Sequence, residues 1–168
     1  MFIKFNYSHA LLALLLAASS CNSNNKIERE GEPTIYTTAA DDPEMNAATT
    51  KGRATFPRFL AILASHDSTI TNPAIKVHYD DGQESEYIWL TDPVMENGQL
   101  YGIVGNEPEF TKQVAAGQRV VIDTTTVGDW SYLQGNRLIG GYTIKLLRSR
   151  MPPAERAEFD ESTGWQFE

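Results

Sequence analysis

Phe56, Phe59, Leu60 and Leu63 are spaced as one stripe of a helix. Upstream, Asp42-Pro43-Glu44 supplies an N-cap, a proline for the first helical position and an acid for the first turn. Together they predict a helix from Pro43 to about Ala64. Pro57 cannot donate its N–H, so the helix should split or kink near Thr55. Ser65-His66-Asp67-Ser68 and Thr71-Asn72-Pro73 read as the loop that ends it. The apolar period then changes to two. Ile75, Val77 and Tyr79 alternate with Lys76, His78 and Asp80, and after the turn signal Asp80-Asp81-Gly82, Glu86, Ile88 and Leu90 alternate with Tyr87 and Trp89. Two such runs around a short polar link predict an antiparallel hairpin. The second run is apolar on both faces, which suits an interior strand.

Asn97-Gly98 predicts a tight turn into a strand from Leu100 to Val104. Gly105-Asn106-Glu107-Pro108 ends that strand, and Phe110 to Ala116 reads as a short connector or helical turn. Arg119 to Asp123 reads as a buried strand, and Thr124-Thr125-Thr126 suits either a strand or a loop. In Asp129-Trp130-Ser131-Tyr132, alternation places Trp130 and Tyr132 on one face and Asp129 and Ser131 on the other. Gly135-Asn136 turns the chain into Arg137-Leu138-Ile139, and Gly140-Gly141 permits a sharp exit. Residues 142–151 fit helix or strand, and the helical spacing of Ile144, Leu147 and Met151 is preferred. Pro152-Pro153 ends that segment. Ala154 to Phe159 is expected as a short acidic turn and residues 161–168 as a frayed tail, with docking of Trp165 and Phe167 left as the alternative. Short turn-linked strands between helical ends define an α+β fold. It comprises a kinked N-terminal helix, a curved antiparallel sheet of about five strands, approaching a small SH3-like half-barrel, and C-terminal helices.

The N-terminus follows a different logic. Lys4, the run from Ala10 to Ala18 and the small residues Ser19 and Ser20 have the layout of a secretory signal over residues 1–20. The run is shorter than the roughly 20 residues that span a bilayer. Ala18-Ser19-Ser20-Cys21 resembles a bacterial lipoprotein box, which implies a diacylglycerol on Cys21. The alternative is an ordinary signal with an idle thiol. Asn22, by resemblance to lipoprotein sorting, favours an outer membrane. Residues 21–42 then form a lipidated cysteine and a flexible tether, since their polar composition offers too little apolar surface to offset ordering entropy. The globular domain is expected over residues 43–160.

Net charge narrows the possible functions. The formal charge of -8 argues against nucleic acid, whose binding depends on Lys and Arg neutralising phosphates. The excess acid lies mostly in the flanks. One cysteine excludes an internal disulfide framework and any all-cysteine metal site. No Gly-x-Ser-x-Gly elbow, phosphate loop or dinucleotide fingerprint occurs. His66 and His78 are too few for a histidine-based zinc site without carboxylates that nothing marks. No metal and no cofactor is therefore expected. His66 beside Asp67 suits a helix C-terminus better than an acid–base pair. The acids from Asp80 to Glu86 suit a solvated hairpin tip better than a calcium loop. Asp123 and Asp129 are the candidates for a general base.

Several pieces together resemble the YegJ-like domain family, domain of unknown function 2314. They are Trp89-Leu90, Gly105-Asn106-Glu107-Pro108, Asp129-Trp130-Ser131-Tyr132, Gly140-Gly141-Tyr142-Thr143 and Arg148-x-Arg150-Met151, with Ala54-Thr55-Phe56-Pro57-x-Phe59 in the helix. The resemblance spans roughly Met45 to Asp160 and implies no agreed activity, cofactor or catalytic residue. The expectation is therefore a lipid-anchored binding or structural module of the cell envelope, facing the periplasm. Its partner would be a protein meeting a surface around Trp89, Asp129, Trp130, Tyr132 and Arg148, aromatic rings and charge being what interfaces use. The alternative is a hydrolase-type envelope enzyme with Asp129 or Asp123 as general base.

Overall fold

The structure is a computed structural model that describes residues 26–29, 32–36, 41–80, 82–83 and 85–167. The signal-like segment and Cys21 lie outside the described residues. Lys26–Arg29 (β1) and Glu32–Tyr36 (β2) pair antiparallel as a separate ribbon with Ile27 opposite Ile35, where the sequence suggested unpatterned tether. Runs this short are below the length at which alternation shows, and a lone two-stranded ribbon is at best marginally stable.

The first helix, α1 (Pro43–Ser65), starts where its cap signals place it. Asp42 Oδ1 accepts the N–H groups of Glu44 and Met45, both at 3.1 Å. It ends on His66, which adopts a left-handed conformation with φ of 52°. Of the expected split or kink, the split does not occur: one helix runs through Pro57. Phe56 and Phe59 flank that proline and are both buried, so packing on either side holds the helix together where a hydrogen bond is missing.

Beneath α1 lies one open antiparallel sheet, built from Ile70–Asp80 (β3), Ser85–Glu96 (β4), Gln99–Val104 (β5), Arg119–Val121 (β6), Val127–Gln134 (β7) and Arg137–Gly140 (β8). Its order is β6-β5-β4-β3-β7-β8. It has one strand more than expected and is open, its edge strands β6 and β8 not pairing with each other. The hairpin register is the one alternation predicts, with Ile75 opposite Leu90 and Val77 opposite Ile88. These four side chains face Phe56 and Phe59 in the main core, which continues through Leu100, Val104, Ile122, Trp130 and Tyr132.

Two segments differ from the sequence reading, and a third, the connector Phe110 to Ala116, keeps to it. The run after Arg119 is a three-residue edge strand, not a buried one: Val121 is exposed and only Ile122, just past the strand, is buried. Phe110 to Ala116 forms neither helix nor strand. Its start is instead gathered by the Glu86 carboxylate, which accepts N–H groups of Glu109, Phe110 and Thr111. At the C-terminus, Tyr142–Arg150 is helical (α2), and the expected acidic turn and frayed tail are a second helix, Pro153–Thr163 (α3), followed by a docked segment. Pro152 offers α3 no side-chain cap. Gln166 makes a parallel bridge with Arg137 on the outer edge of β8. Among the described residues no helix is long and apolar enough to cross a membrane.

An ion-pair clamp joins the start of α1 to the end of α2. Arg150 contacts the carboxylates of both Asp42 and Glu44. The guanidinium holds the Asp42 carboxyl far below the usual carboxylate range, with the capping N–H groups adding to it. A carboxyl depressed in the folded state stabilises above its unfolded value, near pH ~4, and loses that contribution as pH falls toward the folded value. Arg150→Ala is therefore expected to flatten the acid limb of a melting-temperature profile below about pH 4. An unchanged profile would show that solvent and salt screen this exposed pair completely.

Candidate functional site

The antiparallel registers align Trp89 of β4, Lys76 of β3 and Asp129 of β7 in one row across the sheet, on the face opposite the main core. Opposed residues share a face, so the polar half of each alternation converges there. Asp129 is fully buried. Its Oδ1 accepts the Trp130 N–H at 2.8 Å, and its Oδ2 accepts the Thr143 N–H at 2.7 Å and the Thr143 hydroxyl at 2.8 Å. Thr143 stands in the first turn of α2, whose own N-cap, Gly141, has no side chain to offer. Asp129 thus caps α2 from a neighbouring strand, putting a negative charge where unpaired N–H groups and the helix dipole favour it.

Lys76 completes the cluster. Its Nζ makes a long 3.4 Å contact to Thr143 Oγ1, so the hydroxyl stands between ammonium and carboxylate. The same ammonium lies 5.5 Å from the Tyr87 ring centroid and 5.8 Å from that of Trp89. Lys76 keeps some solvent exposure, but burial of its amine lowers its pKa, with Asp129 opposing the shift. Burial raises the pKa of Asp129, against the pull of Thr143, Trp130 and Lys76. Two glycines admit this packing. A Cβ on Gly52 would sit 2.5 Å from the Gly128 carbonyl oxygen, and one on Gly128 would meet the Tyr87 ring at the same distance. Gly128 lies in the register shift between Lys76 and Val77.

Trp130 occupies the core face of the same strand. Its ring is 1% exposed and packs against Phe59, Tyr132 and the edge of Tyr142. Its indole N–H donates to the Gly52 carbonyl at 3.1 Å and the Thr55 hydroxyl at 3.0 Å. The surface expected around Trp89, Asp129, Trp130, Tyr132 and Arg148 therefore does not form as one face. Asp129, Trp130 and Tyr132 are buried, because both faces of β7 are covered. Trp89 is half-buried on the open side of β4. Arg148 belongs to a different cluster on α2, bound through two 2.6 Å hydrogen bonds to Asp160 of α3. Asp123 caps the turn at Thr124–Thr126, accepting the Thr125 N–H and hydroxyl, which lower its pKa. Neither Lys76 nor Thr143 was a candidate site residue in the sequence, although Thr143 closes the Gly140-Gly141-Tyr142-Thr143 motif. Lys76 sat in the polar phase of an ordinary strand, and only the position of Trp89 across from it offered a signal.

The Asp-Trp-Ser-Tyr and Gly-Gly-Tyr-Thr motifs thus meet in space through Asp129 and Thr143. The family described as "Uncharacterized protein conserved in bacteria (DUF2314)" matches residues 42–167. The chain belongs to the DUF2314 family. It is 30% identical over 129 residues to the YegJ protein of Escherichia coli (strain K12), covering 77% of this chain and 83% of that one. It is also 27% identical over 145 residues to a protein of Neisseria meningitidis serogroup B (strain ATCC BAA-335 / MC58) named as a candidate ankyrin repeat protein. That match covers 82% of this chain but only 57% of the longer relative. No solved structure matches. The DUF2314 match takes in the three helices of the described residues and the whole six-stranded sheet, so the Asp129–Thr143 junction lies inside the family's domain.

Proposed function

We propose that this DUF2314 chain works as a binding or structural module of the bacterial cell envelope, tethered to a membrane by lipid on Cys21 and facing the periplasm. The observation that carries the non-catalytic part is the state of Asp129. A general base must reach the proton it removes, whereas this carboxylate is fully buried and both its oxygens accept hydrogen bonds from Trp130 and Thr143. Asp123, the other candidate base, is engaged as a turn cap. A protein partner is better matched to the open side of β3 and β4, where Trp89 stands beside Tyr87, His78 and Lys76, than to the buried residues of β7. Half-exposed rings of this kind supply interface area at low entropic cost. The anchor rests on the Ala18-Ser19-Ser20-Cys21 sequence, and Asn22 favours an outer membrane where the cell has one.

The test is Cys21→Ser in cells fed a labelled fatty acid. The wild-type chain should carry label and sediment with membranes, and the variant should lose both properties. A wild-type chain that is unlabelled and stays in the soluble envelope fraction would overturn the anchored reading.

A further inference from the structure

A cleft of about 540 Å³ lies where the C-terminal segment crosses the β7–β8 turn, lined by Gln134, Asn136, Arg137, Gln166 and Phe167. Its walls are fixed from several sides. The Gln166 N–H donates to the Asn136 carbonyl at 2.8 Å, and the Leu138 N–H donates to the Gln166 carbonyl at 3.0 Å. The Phe167 ring rests on the Arg148 guanidinium, 4.4 Å from its centroid, which the Asp160 carboxylate grips with both oxygens. Phe159 and Trp165 hold the same ring from the side, at 5.9 and 6.2 Å between centroids. The backbone of the turn and tail and the Phe167 ring are thus in place before any ligand arrives, which reduces the entropic cost of binding.

The chemistry of the lining restricts the ligand. Gln134, Asn136 and Gln166 are exposed, and each carboxamide is donor and acceptor at once. That pair matches two adjacent hydroxyls, donating to one and accepting from the other. The volume falls within the roughly 300–1,000 Å³ of small-ligand sites, but those are mostly apolar, and this lining holds one ring among four polar side chains. A peptide adding as a strand would need free backbone groups on the outer edge of β8, and at this point the tail has taken them. We infer that this cleft is an oligosaccharide-binding site, with the Phe167 ring under the C–H face of a sugar and the three carboxamides on its hydroxyls. Arg137 at the rim favours a sugar that carries a carboxylate. The inference is independent of the lipid anchor and of the open side of β3 and β4, and it stands whether or not Cys21 is modified.

The experiment titrates the full chain, held in a sugar-free detergent, with chitotetraose, maltotetraose and tetragalacturonate, read by calorimetry and by tryptophan emission. Trp165 beside the cleft is the internal reporter. At least one tetrasaccharide should bind saturably, and Gln166→Ala and Phe167→Ala should each weaken it by about tenfold or more. Because Phe167→Ala also loosens the tail, Asn136→Ala supplies a second test on the turn, with the same loss expected at an unchanged melting temperature. Tetragalacturonate should bind the tightest of the three, and Arg137→Gln should remove that preference. No saturable binding of any of the three up to about 10 mM, or an affinity the Asn136 and Gln166 variants leave unchanged, would overturn the inference.

Discussion

Trp130→Ala is expected to destabilise the domain by about 3–5 kcal/mol, read from urea denaturation. The magnitude follows from three losses at one position. The ring is 1% exposed and fills the space between α1 and the sheet, so truncation leaves a cavity walled by Phe59, Tyr132 and Tyr142, none of which can collapse without moving α1, β7 or α2. Truncation also removes the indole N–H that the Gly52 carbonyl and the Thr55 hydroxyl accept at the point where α1 crosses β7, leaving those two groups only their partners within α1. Finally, the ring sets the spacing between α1 and β7, on which the Gly52–Gly128 close approach depends. Trp130→Phe separates these effects, since it keeps much of the volume and loses only the two hydrogen bonds, for a cost of about 1–2 kcal/mol. A loss below about 1 kcal/mol for the alanine variant would mean that the ring is not the keystone of this packing.

The elements that were legible in the sequence share a feature: their signals are local. The Asp42 cap, the Phe56-Phe59-Leu60-Leu63 stripe and the alternation on either side of Asp80 each lie within a few residues of the structure they specify. What failed depends on distant partners. Arg119 to Asp123 has the composition of a buried strand, yet its place at the sheet edge is set by pairing with β5 on one side only. Residues 160–167 look like a polar tail, but Arg148 draws in Asp160 and Phe167, and α3 docks with them. The site shows the same division. Alternation placed Asp129 and Trp130 on opposite faces of β7, as found. It could not show that both faces are covered, because Asp and Ser at alternate positions resemble the solvent side of any strand. Lys76 meets Asp129 through a register between β3 and β7 separated by more than 50 residues of chain, for which no local signal exists.

Asp129→Ala should be as damaging as the tryptophan truncation, at about 3–5 kcal/mol, for an electrostatic reason. The carboxylate is the shared partner of the Trp130 N–H, the Thr143 N–H and the Thr143 hydroxyl, and it is the counter-charge of Lys76. Removing it strands all four. The pair is not itself a favourable arrangement for two charges: burial raises the Asp129 pKa and lowers that of Lys76, so each prefers its neutral form more than it does in water. Lys76→Met in the Asp129→Ala background should therefore recover at least about 1 kcal/mol, a coupling that a double-mutant cycle reads directly. The sign of the pH dependence follows from the same shifts. A carboxyl whose folded pKa is raised contributes stability that is complete below its unfolded value, near pH ~4, and that fades as pH rises through the folded value. The stability of the wild-type chain relative to Asp129→Asn, which cannot ionise there, should accordingly fall as pH rises from about 4 toward neutrality. A flat difference over that range would mean that the hydrogen bonds from Thr143 and Trp130 fully compensate the buried charge. The same variant separates the capping role from a catalytic one. With Asp129 as general base, Asn would lower any turnover by roughly 10²–10⁴-fold at pH values where the wild-type carboxyl is ionised. With Asp129 as the cap of α2, the change appears in unfolding and in the hydrogen-exchange protection of the Thr143 amide, which should drop as the neutral amide replaces the charge-assisted acceptor.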